Sequence, residues 1–302
     1  MAMPLQTIAL AGSTGTIGAT TAHALTSAGY RVLCLGRGDF DEEDRLEERL
    51  RKEGVTAVIS CMASRSGTVA DAWRVDYAAQ AMLLRAALGA GVSQFVLLSA
   101  ICVQRPRLAF QMAKLAFERE LQAAPLCWTI VRPTAFFKSL SGQISRVRRG
   151  KSFLVFGDGR LTACKPISNE DLAEYLVTCL DNSQRARRIL PIGGPGPALH
   201  PMDQVAILER LLHRPIRVRR VPPGLLAVIA STLGLLGRVI PTLARKAEYA
   251  RIGHYYATES MLVWDVDRQL YDESATPSWG THQLEDHYRD ILNHHEEEGK
   301  RR

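Results

Sequence analysis

The sequence predicts an α/β protein organised around a doubly wound parallel sheet, and features of its first half lead to this prediction. Five short runs rich in apolar and β-branched residues alternate with longer segments of helical periodicity. Continuous apolar strands separated by helices are typical of parallel sheets whose two faces are both covered. A glycine-rich segment directly follows the first run, as in Rossmann-type folds. We therefore expect a Rossmann-type sheet with a smaller, mostly helical C-terminal lobe.

The predicted elements follow in order along the chain. The five strands of the main sheet are expected at residues 7–11, 31–35, 56–60, 94–98 and 128–131. The helices between them are expected at residues 19–25, 42–52, 71–88 and 108–121. Beyond residue 134 the alternation loosens into a short strand at 153–156 and helices at 169–180, 202–212 and 282–294. This pattern predicts one domain over residues 1–150 and a C-terminal lobe over 151–302, some of whose strands return to the main sheet.

The composition is that of a folded globular chain with a surplus of positive charge. Apolar residues make up 46% of the 302 residues and charged residues 23%, which excludes global disorder and fibrous structure. The formal net charge is +7 and the pI is about 9.2, which suits a phosphate, a carboxylate, an acidic lipid or nucleic acid as partner. The basic runs at 146–149 and 217–220 lack interleaved aromatic residues, so we expect no nucleic-acid binding.

Cysteine usage and hydropathy limit the function classes further. The six cysteines are scattered, without a C-x-x-C pair or a histidine cluster at ligand spacing, so we expect no metal site. No basic region precedes an apolar run near the N-terminus, and we expect a cytoplasmic chain with free thiols. The apolar stretch 224–237 has 14 residues, whereas a membrane span needs about 20. We expect it to form a core helix; the alternative is an interfacial helix that gives weak membrane association.

The sharpest motif is the glycine-rich segment after the first predicted strand. It reads GSTGTIG over residues 12–18 and opens a predicted helix, which is the context that gives a glycine triplet its meaning. We expect Gly12 to permit a tight turn, Gly15 to admit a pyrophosphate near backbone amides, and Gly18 to allow close helix packing. Its G-x-x-G-x-x-G spacing is typical of extended and atypical short-chain dehydrogenases. The predicted cofactor-binding residues of this loop are Gly12, Ser13, Thr14, Gly15, Thr16, Ile17 and Gly18.

The end of the second predicted strand distinguishes between the two nicotinamide cofactors. An NAD site places an acidic residue there, about 20 residues after the glycines, to hold the ribose hydroxyls. Here the strand runs into Arg37, whose guanidinium favours the 2′-phosphate of NADPH. Asp39 follows as the competing acidic side chain. We therefore predict NADPH as the cofactor.

A tyrosine is missing from the place where dehydrogenases of this group usually carry their proton donor. Their Tyr-x-x-x-Lys motif puts both side chains on one helix face, and a serine ends the preceding strand. Here Ser99 and Lys114 are present, but the tyrosine position is Phe110. We expect Lys114 to hold the nicotinamide ribose; the alternative is a solvated surface lysine. Reduction of a carbon–carbon double bond conjugated to a large π-system spreads the charge over the ligand and does not need the tyrosine.

Seven further strings carry a more specific signal than the glycine loop. They lie at residues 99–104, 110–114, 131–140, 155–159, 163–168, 190–196 and 255–261. With them the chain, over nearly its whole length, resembles the 8-vinyl reductases of chlorophyll and bacteriochlorophyll biosynthesis. The resemblance implies an atypical short-chain dehydrogenase that uses NADPH to convert the 8-vinyl group of divinyl chlorophyllide or protochlorophyllide into an ethyl group. The lack of the tyrosine in that family agrees with Phe110.

The chain departs from this family after its second predicted strand. A helix–strand pair that usually precedes the strand at 56–60 is missing, because the chain passes from Arg37 directly into the charged helix at 42–52. We therefore expect the second strand to lie at the sheet edge. The missing helix–strand pair changes the chain on the side of the cofactor site that is expected to bind the adenine half, and Arg37 is predicted to lie on that side.

The resemblance and the fold together assign expected roles to further residues. The predicted catalytic residues are Lys114 and Ser99, which also count among the cofactor contacts. Further predicted cofactor contacts are Cys61, Met62, Ala63, Pro133 and Thr134. The predicted contacts to the pigment are Phe136, Phe137, Lys138, Tyr255 and Tyr256, with Lys165 as a second partner for a propionate. For the aromatic residues core packing is the alternative, and for Lys138 and Lys165 it is solvent exposure.

Two other function classes stay open at this point. One is a redox-sensing regulator that keeps the glycine loop and performs no chemistry, and the other is a reductase of a different conjugated alkene or of a quinone. The cytoplasmic chain is expected to lie peripheral to a photosynthetic membrane if the pigment is its substrate.

Overall fold

The computed structural model describes residues 6–237 and 240–300, and the chain divides into two compact units. The first unit consists of Met1–Pro133 and Asn169–Pro191, and the second of Thr134–Ser168 and Ile192–Arg302. The predicted division at residue 150 therefore differs from the structure. The reason is that a helix and a strand of the segment 169–191 pack on and pair with the main sheet of the first unit.

The strands and helices of the described residues are as follows. The strands are β1 Thr7–Ala11, β2 Arg31–Leu35, β3 Val55–Ser60, β4 Gln94–Leu98, β5 Cys127–Pro133, β6 Phe153–Phe156, β7 Arg188–Ile192, β8 Val218–Val221, β9 Val263–Asp265 and β10 Leu270–Asp272. The helices are α1 Thr16–Ser27, α2 Glu43–Lys52, α3 Val69–Ala72, α4 Gln80–Gly89, α5 Ala109–Ala123, α6 Phe137–Leu140, α7 Ile144–Arg148, α8 Asn169–Asp181, α9 Pro201–Leu212, α10 Gly224–Leu236, α11 Pro241–Thr258 and α12 Leu284–Lys300. A π-helical segment, Trp73–Ala79, joins α3 to α4.

The main sheet of the first unit has six strands in the order β2-β1-β3-β4-β5-β7, and β1 to β5 pair in parallel. This confirms the doubly wound Rossmann-type sheet. It also confirms that β2 lies at the edge, since no strand lies beyond it among the described residues. The chain leaves β1 toward β2 on one side and returns to β3 on the other. The carboxyl end of β1 is therefore the switch point at which such sheets bind ligands.

The strands of the main sheet form because their side chains are buried on both faces. All five residues of β1 are buried, as are the last four of β3 and of β4. The helices supply the apolar stripes that cover them; α2, for example, buries only Leu46 and Leu50 and exposes its charged residues. A strand that is buried on both faces has an uninterrupted apolar sequence, without alternating polar residues. The apolar runs of the sequence therefore predicted the strands of this sheet correctly.

The second unit contains two small sheets and its own hydrophobic core. Strands β6 and β8 pair in parallel, and β9 and β10 form an antiparallel hairpin. The basic run at 217–220 thus contributes to strand β8, which the sequence did not predict. The core is built by residues of α6, α7, β6, α9 and α12, with the fully buried Tyr288 donating a hydrogen bond to the Leu140 carbonyl at 2.9 Å.

The apolar helix α10 is not the buried core helix that the sequence predicted. Of its residues only Ala230 is buried, and large apolar side chains on one face are exposed to solvent. Within the ranges 6–237 and 240–300, no helix combines the length and the apolarity that a membrane crossing requires.

Candidate functional site

The loop between β1 and α1 has room for nothing larger than glycine at two positions. Gly12 has φ +80°, and a Cβ there would lie 2.8 Å from the carbonyl carbon of Cys61. A Cβ on Gly18 would lie 2.1 Å from the Gly12 carbonyl oxygen. Gly15 is less restricted, because the contact to the same oxygen would be 3.3 Å. The first and third glycines therefore shape the loop, as predicted from the motif.

The start of α1 is the positive end of a helix dipole. Gly15 is its N-cap residue, so no side chain caps the first turn, and that turn contains no acidic residue. The first N–H groups of a helix have no partner within the helix, and they carry the positive end of its dipole. Thr14, Gly15 and Thr16 are exposed. The loop therefore presents backbone donors and positive potential at the switch point of the sheet, which suits a pyrophosphate.

A second loop, after β3, closes against the glycine loop. The Cys61 amide donates to the Ala11 carbonyl at 2.9 Å. Ser60 is fully buried and donates to Gln80 Oε1 at 2.8 Å, and Gln80 Nε2 lies 3.4 Å from the Met62 carbonyl. Helix α4 thus fixes the backbone of this loop. Cys61 and Met62, predicted as cofactor contacts, lie beside Gly12 at the carboxyl edge of the sheet, and Ala63, also predicted, follows them in the chain.

The Cys61 thiol is not a nucleophile at neutral pH. Desolvation by burial raises its pKa to about 12, although the hydrogen bond with Thr21 works in the opposite direction. The thiol therefore stays protonated in the folded chain and acts as an apolar lining of the loop.

At the end of β2, Arg37 and Asp39 differ in what they bind. Asp39 Oδ2 accepts the Gly36 amide at 2.7 Å, and its Oδ1 forms an ion pair with Arg49. Arg37 is exposed and has no ion pair within the described part of the chain. The competing carboxylate is thus occupied by local partners, whereas the guanidinium is open to a ligand.

Lys114 is a buried lysine in an ion pair with Asp76. Its residue is 8% exposed, and Nζ lies 3.0 Å from Asp76 Oδ1, which also accepts the Ser64 amide at 3.2 Å. The alternative of a solvated surface lysine is therefore wrong. Asp76 lies in the π-helical segment, and its second carboxylate oxygen, Oδ2, is buried without a hydrogen-bond partner in the structure. Single π-helical turns inside α-helices frequently mark functional sites.

Ser99 is held by a second buried ion pair. Its hydroxyl donates to Glu118 Oε1, and Glu118 pairs through both oxygens with the Arg132 guanidinium. Glu118 is 1% exposed. Since the Ser99 proton is committed to the carboxylate, the serine oxygen can accept a hydrogen bond from a ligand but not donate one. Ser99 thus directly follows β4, as predicted, and binds the buried carboxylate of Glu118.

Helix α5 brings the lysine and the glutamate to one face. Lys114 and Glu118 are four residues apart, and Phe110 precedes Lys114 by the same interval. The phenylalanine is half-buried and provides an apolar surface where related enzymes carry a tyrosine hydroxyl. This face offers a buried ammonium and a buried carboxylate, but no phenolic proton donor.

Pro133 and Thr134 stand at the boundary of the two units. Pro133 ends β5 in the first unit. Thr134 opens the second, where its hydroxyl donates to the Lys165 carbonyl and its amide to the Ile192 carbonyl at 2.9 Å. The Thr134 side chain is therefore committed to the backbone of the second unit.

The predicted pigment contacts of the second unit fall into two groups. Phe137 and Tyr255 are 5% and 3% exposed, and Phe137 belongs to the hydrophobic core, so that core packing accounts for its position. Phe136 is half-buried, and Lys138 and Tyr256 are exposed. The rings of Tyr255 and Tyr256 meet edge to face with centroids 5.6 Å apart.

Lys165 is not a solvated lysine. It is 9% exposed, and its ammonium donates to the Thr276 carbonyl at 3.0 Å and to Ser278 Oγ at 3.3 Å. In the described part of the second unit no carboxylate lies within ion-pair distance of it. A buried ammonium with only neutral partners favours binding of an anion.

The sequence reasoning missed Asp76 and Glu118, the two buried carboxylates of the site. Asp76 was hidden inside a segment that reads as one continuous helix, because a π-helical turn leaves no mark in the hydrophobic periodicity. Glu118 had a weak signal in its spacing of four residues from Lys114. The residues that the structure describes contain no cluster of three or more metal-ligating side chains.

Comparisons with known proteins agree with this geometry. The profile of an NAD(P)H-binding family matches residues 12–183. The chain is 41% identical over 317 residues to the chloroplastic divinyl chlorophyllide a 8-vinyl-reductase of Oryza sativa subsp. indica, covering 95% of this chain and 78% of that protein. The reductase of the same name from Arabidopsis thaliana is 39% identical over 318 residues, covering 94% and 76%.

Among solved structures, the chain resembles the NADPH complex of the NADPH-dependent quinone oxidoreductase QOR2 from Escherichia coli. The TM-score is 0.67 at 15% identity, and the alignment covers 94% of this chain and 99% of that one. At this identity the likeness concerns the fold alone, and it agrees with a Rossmann-type sheet.

Proposed function

This chain belongs to the divinyl chlorophyllide a 8-vinyl-reductase family, and from that premise we propose that it reduces the 8-vinyl group of divinyl chlorophyllide or protochlorophyllide to an ethyl group with NADPH. The main support for the proposal is the sequence similarity to these reductases, which extends along nearly the whole chain. The chemistry of the first unit supports it, because that unit offers a dinucleotide loop and a buried lysine but no tyrosine donor.

NADPH, rather than NADH, is the cofactor in this proposal. The glycine loop and the first turn of α1, which carries no side-chain cap and no acidic residue, fit a pyrophosphate. Arg37 is exposed at the end of β2, where a 2′-phosphate is held, and a charge-assisted pair with it is favourable. Asp39, the residue that would favour NADH, already binds Gly36 and Arg49.

Lys114 holds the cofactor ribose in this proposal. Its ammonium has three donors, of which one is used by Asp76 in the structure, and the remaining donors fit ribose hydroxyls. The buried carboxylate fixes the position of Nζ and offsets the burial of its charge. When bound, NADPH supplies the hydride. Lys114, fixed by Asp76, then keeps the ribose in place, the conjugated macrocycle delocalises the developing charge, and the proton comes from water or from a nearby acid.

The second unit supplies the pigment contacts in this proposal. Phe136 and Tyr256 are the aromatic side chains with surface to offer a flat macrocycle. Lys138 and Lys165 are the cations suited to a propionate, and Lys165 is favoured because its buried ammonium has only neutral partners. Phe137 and Tyr255 support this surface from the interior.

We place the chain in the cytoplasm, peripheral to a photosynthetic membrane, with the pigment as its small-molecule partner and without nucleic acid. The net charge of +7 then attracts the cofactor phosphates and the carboxylate of the pigment.

An anaerobic assay with divinyl chlorophyllide and NADPH tests the proposal. We expect the blue absorption band of the pigment to shift as the conjugated vinyl group is lost, and Lys114→Ala to lose most of the turnover. Lys52→Ala, an exposed lysine of the same unit, is the matched control and should keep it.

The outcomes separate the competing functions. An unchanged spectrum with intact NADPH binding would favour a regulator without chemistry. Oxidation of NADPH by quinones or other alkenes, but not by the pigment, would point to a different reductase. Full turnover by Lys114→Ala would remove this lysine from the mechanism.

A further inference from the structure

The helix α10 turns a continuous apolar face to solvent. Leu225, Val228, Ile229, Leu235 and Leu236 are between 37% and 64% exposed. Their spacing follows the helical repeat, so they share one face about 120° wide. Surface helices of globular proteins place the polar face outward, and here the apolar face is outward instead.

The opposite face of α10 packs on α11 through small residues. Ala230 and Ala247 are buried. A Cβ on Gly237 would lie 2.7 Å from the Ala244 backbone, and one on Gly234 would lie 2.9 Å from the Arg251 guanidinium. The two helices thus approach closely and form one unit, which we call the apolar hairpin (residues 224–237 and 240–258). Because this packing uses the small face, the large apolar side chains remain uncovered.

Exposed basic and aromatic side chains lie on the elements that precede and follow α10 in the sequence. On α11, Arg245, Lys246 and Tyr249 are exposed and share the outward side of the helix. Just before α10, Arg219 and Arg220 of β8 are also exposed. Within the described part of the chain, these four cations have no ion-pair partner. Tyrosine and arginine or lysine at the edge of an apolar surface are typical of membrane interfaces, where one end is apolar and the other wet.

We propose that the apolar hairpin docks on an anionic lipid bilayer and lies in its interface. The thirteen residues of α10 span about 20 Å, whereas the hydrocarbon core is ~30 Å thick, so that the helix lies on the membrane. The apolar face enters the acyl boundary and the cations meet the headgroups. The purpose of this docking rests on the proposed function, since a chlorophyllide partitions into membranes, but the docking itself needs neither pigment nor cofactor.

Vesicle co-sedimentation of the full chain, without pigment or NADPH, tests the proposal. We expect binding to phosphatidylglycerol vesicles, weaker binding to phosphatidylcholine vesicles, and a loss of affinity at high salt. Val228→Asp with Leu235→Asp should lower the affinity at least ~10-fold. Both side chains are more than 60% exposed, at 63% and 64%, so the variant should fold. Val266→Asp, at an apolar side chain 69% exposed on the β9–β10 turn, is the matched control.

The variant Arg219→Ala with Arg220→Ala tests the contribution of charge. Each substitution should lower the affinity for anionic vesicles roughly fivefold and leave the affinity for neutral vesicles unchanged. Equal binding of the Val228/Leu235 variant and the Val266 control would overturn the proposal, and so would absence of binding by the wild type. A wild type that is dimeric in solution, with a monomeric Val228/Leu235 variant and no vesicle binding, would assign the face to a second copy. Vesicle binding without pigment turnover would leave the docking intact and refute the proposed function alone.

Discussion

Replacing Asp76 by alanine tests whether a buried carboxylate holds Lys114, the lysine that we propose to bind the cofactor ribose. The Asp76 side chain is fully enclosed and that of Lys114 is 10% exposed, with 3.0 Å between Nζ and Oδ1. Removing one partner of such a pair leaves the other charge uncompensated, which costs about 3–5 kcal/mol. The Ser64 amide also loses its acceptor. We therefore expect the free energy of unfolding to fall by at least ~3 kcal/mol and NADPH affinity to fall with it.

The matched control is Glu53→Ala, which breaks the exposed pair of Glu53 with Arg31. Their side chains are 29% and 59% exposed, and pairs of this kind are worth about 0–1 kcal/mol. Asp76→Asn is a milder variant, because the amide keeps an acceptor for the Ser64 N–H while it removes the charge. Urea unfolding measures stability, and quenching of cofactor fluorescence measures NADPH affinity. Equal destabilisation by Asp76→Ala and Glu53→Ala, or unchanged NADPH affinity in both Asp76 variants, would refute the reasoning.

Three further predictions concern the cofactor loop and its surroundings. Gly18→Ala should abolish NADPH binding in titration calorimetry, because its Cβ would lie 2.1 Å from the Gly12 carbonyl oxygen; retained affinity would contradict the loop geometry. Arg37→Ala should weaken NADPH roughly 10- to 100-fold while NADH binding stays unchanged, since a charge-assisted hydrogen bond is lost; a parallel loss for both cofactors would contradict the 2′-phosphate assignment. Mass spectrometry after iodoacetamide treatment at pH 8 should find Cys34 alkylated long before Cys61, because Cys34 is exposed, whereas Cys61 is half-buried and desolvation raises the pKa of its thiol to about 12; equal rates in the folded chain would contradict the raised pKa.

The main sheet could be predicted from the sequence because burial on both faces leaves an unbroken apolar signal. β1, β2 and β4 have the predicted bounds. The edge position of β2 followed from the short connection to the next strand. β8 gave no such signal, because its residues are exposed or half-buried and two of its four side chains are arginines.

The candidate site was predicted where a local motif imposes the geometry and missed where the partners are distant in sequence. Gly12 and Gly18 act through their own backbone and could be identified from spacing alone. Asp76 meets Lys114 from another helix, and only the fold brings them together. The apolarity of α10 predicted burial, but its small residues, and not its large ones, face the rest of the unit.

Deuterium transfer to the pigment tests the central claim most directly. The full chain is incubated anaerobically with divinyl chlorophyllide and NADPH deuterated at the transferred position, and the product is examined by mass spectrometry. With the deuterated cofactor, we predict an 8-ethyl product that carries one deuterium from NADPH. With unlabelled NADPH in D₂O, we predict an 8-ethyl product that carries one deuterium from the solvent. An unchanged divinyl pigment, or an ethyl product without deuterium from the cofactor, would contradict reduction by hydride transfer from NADPH.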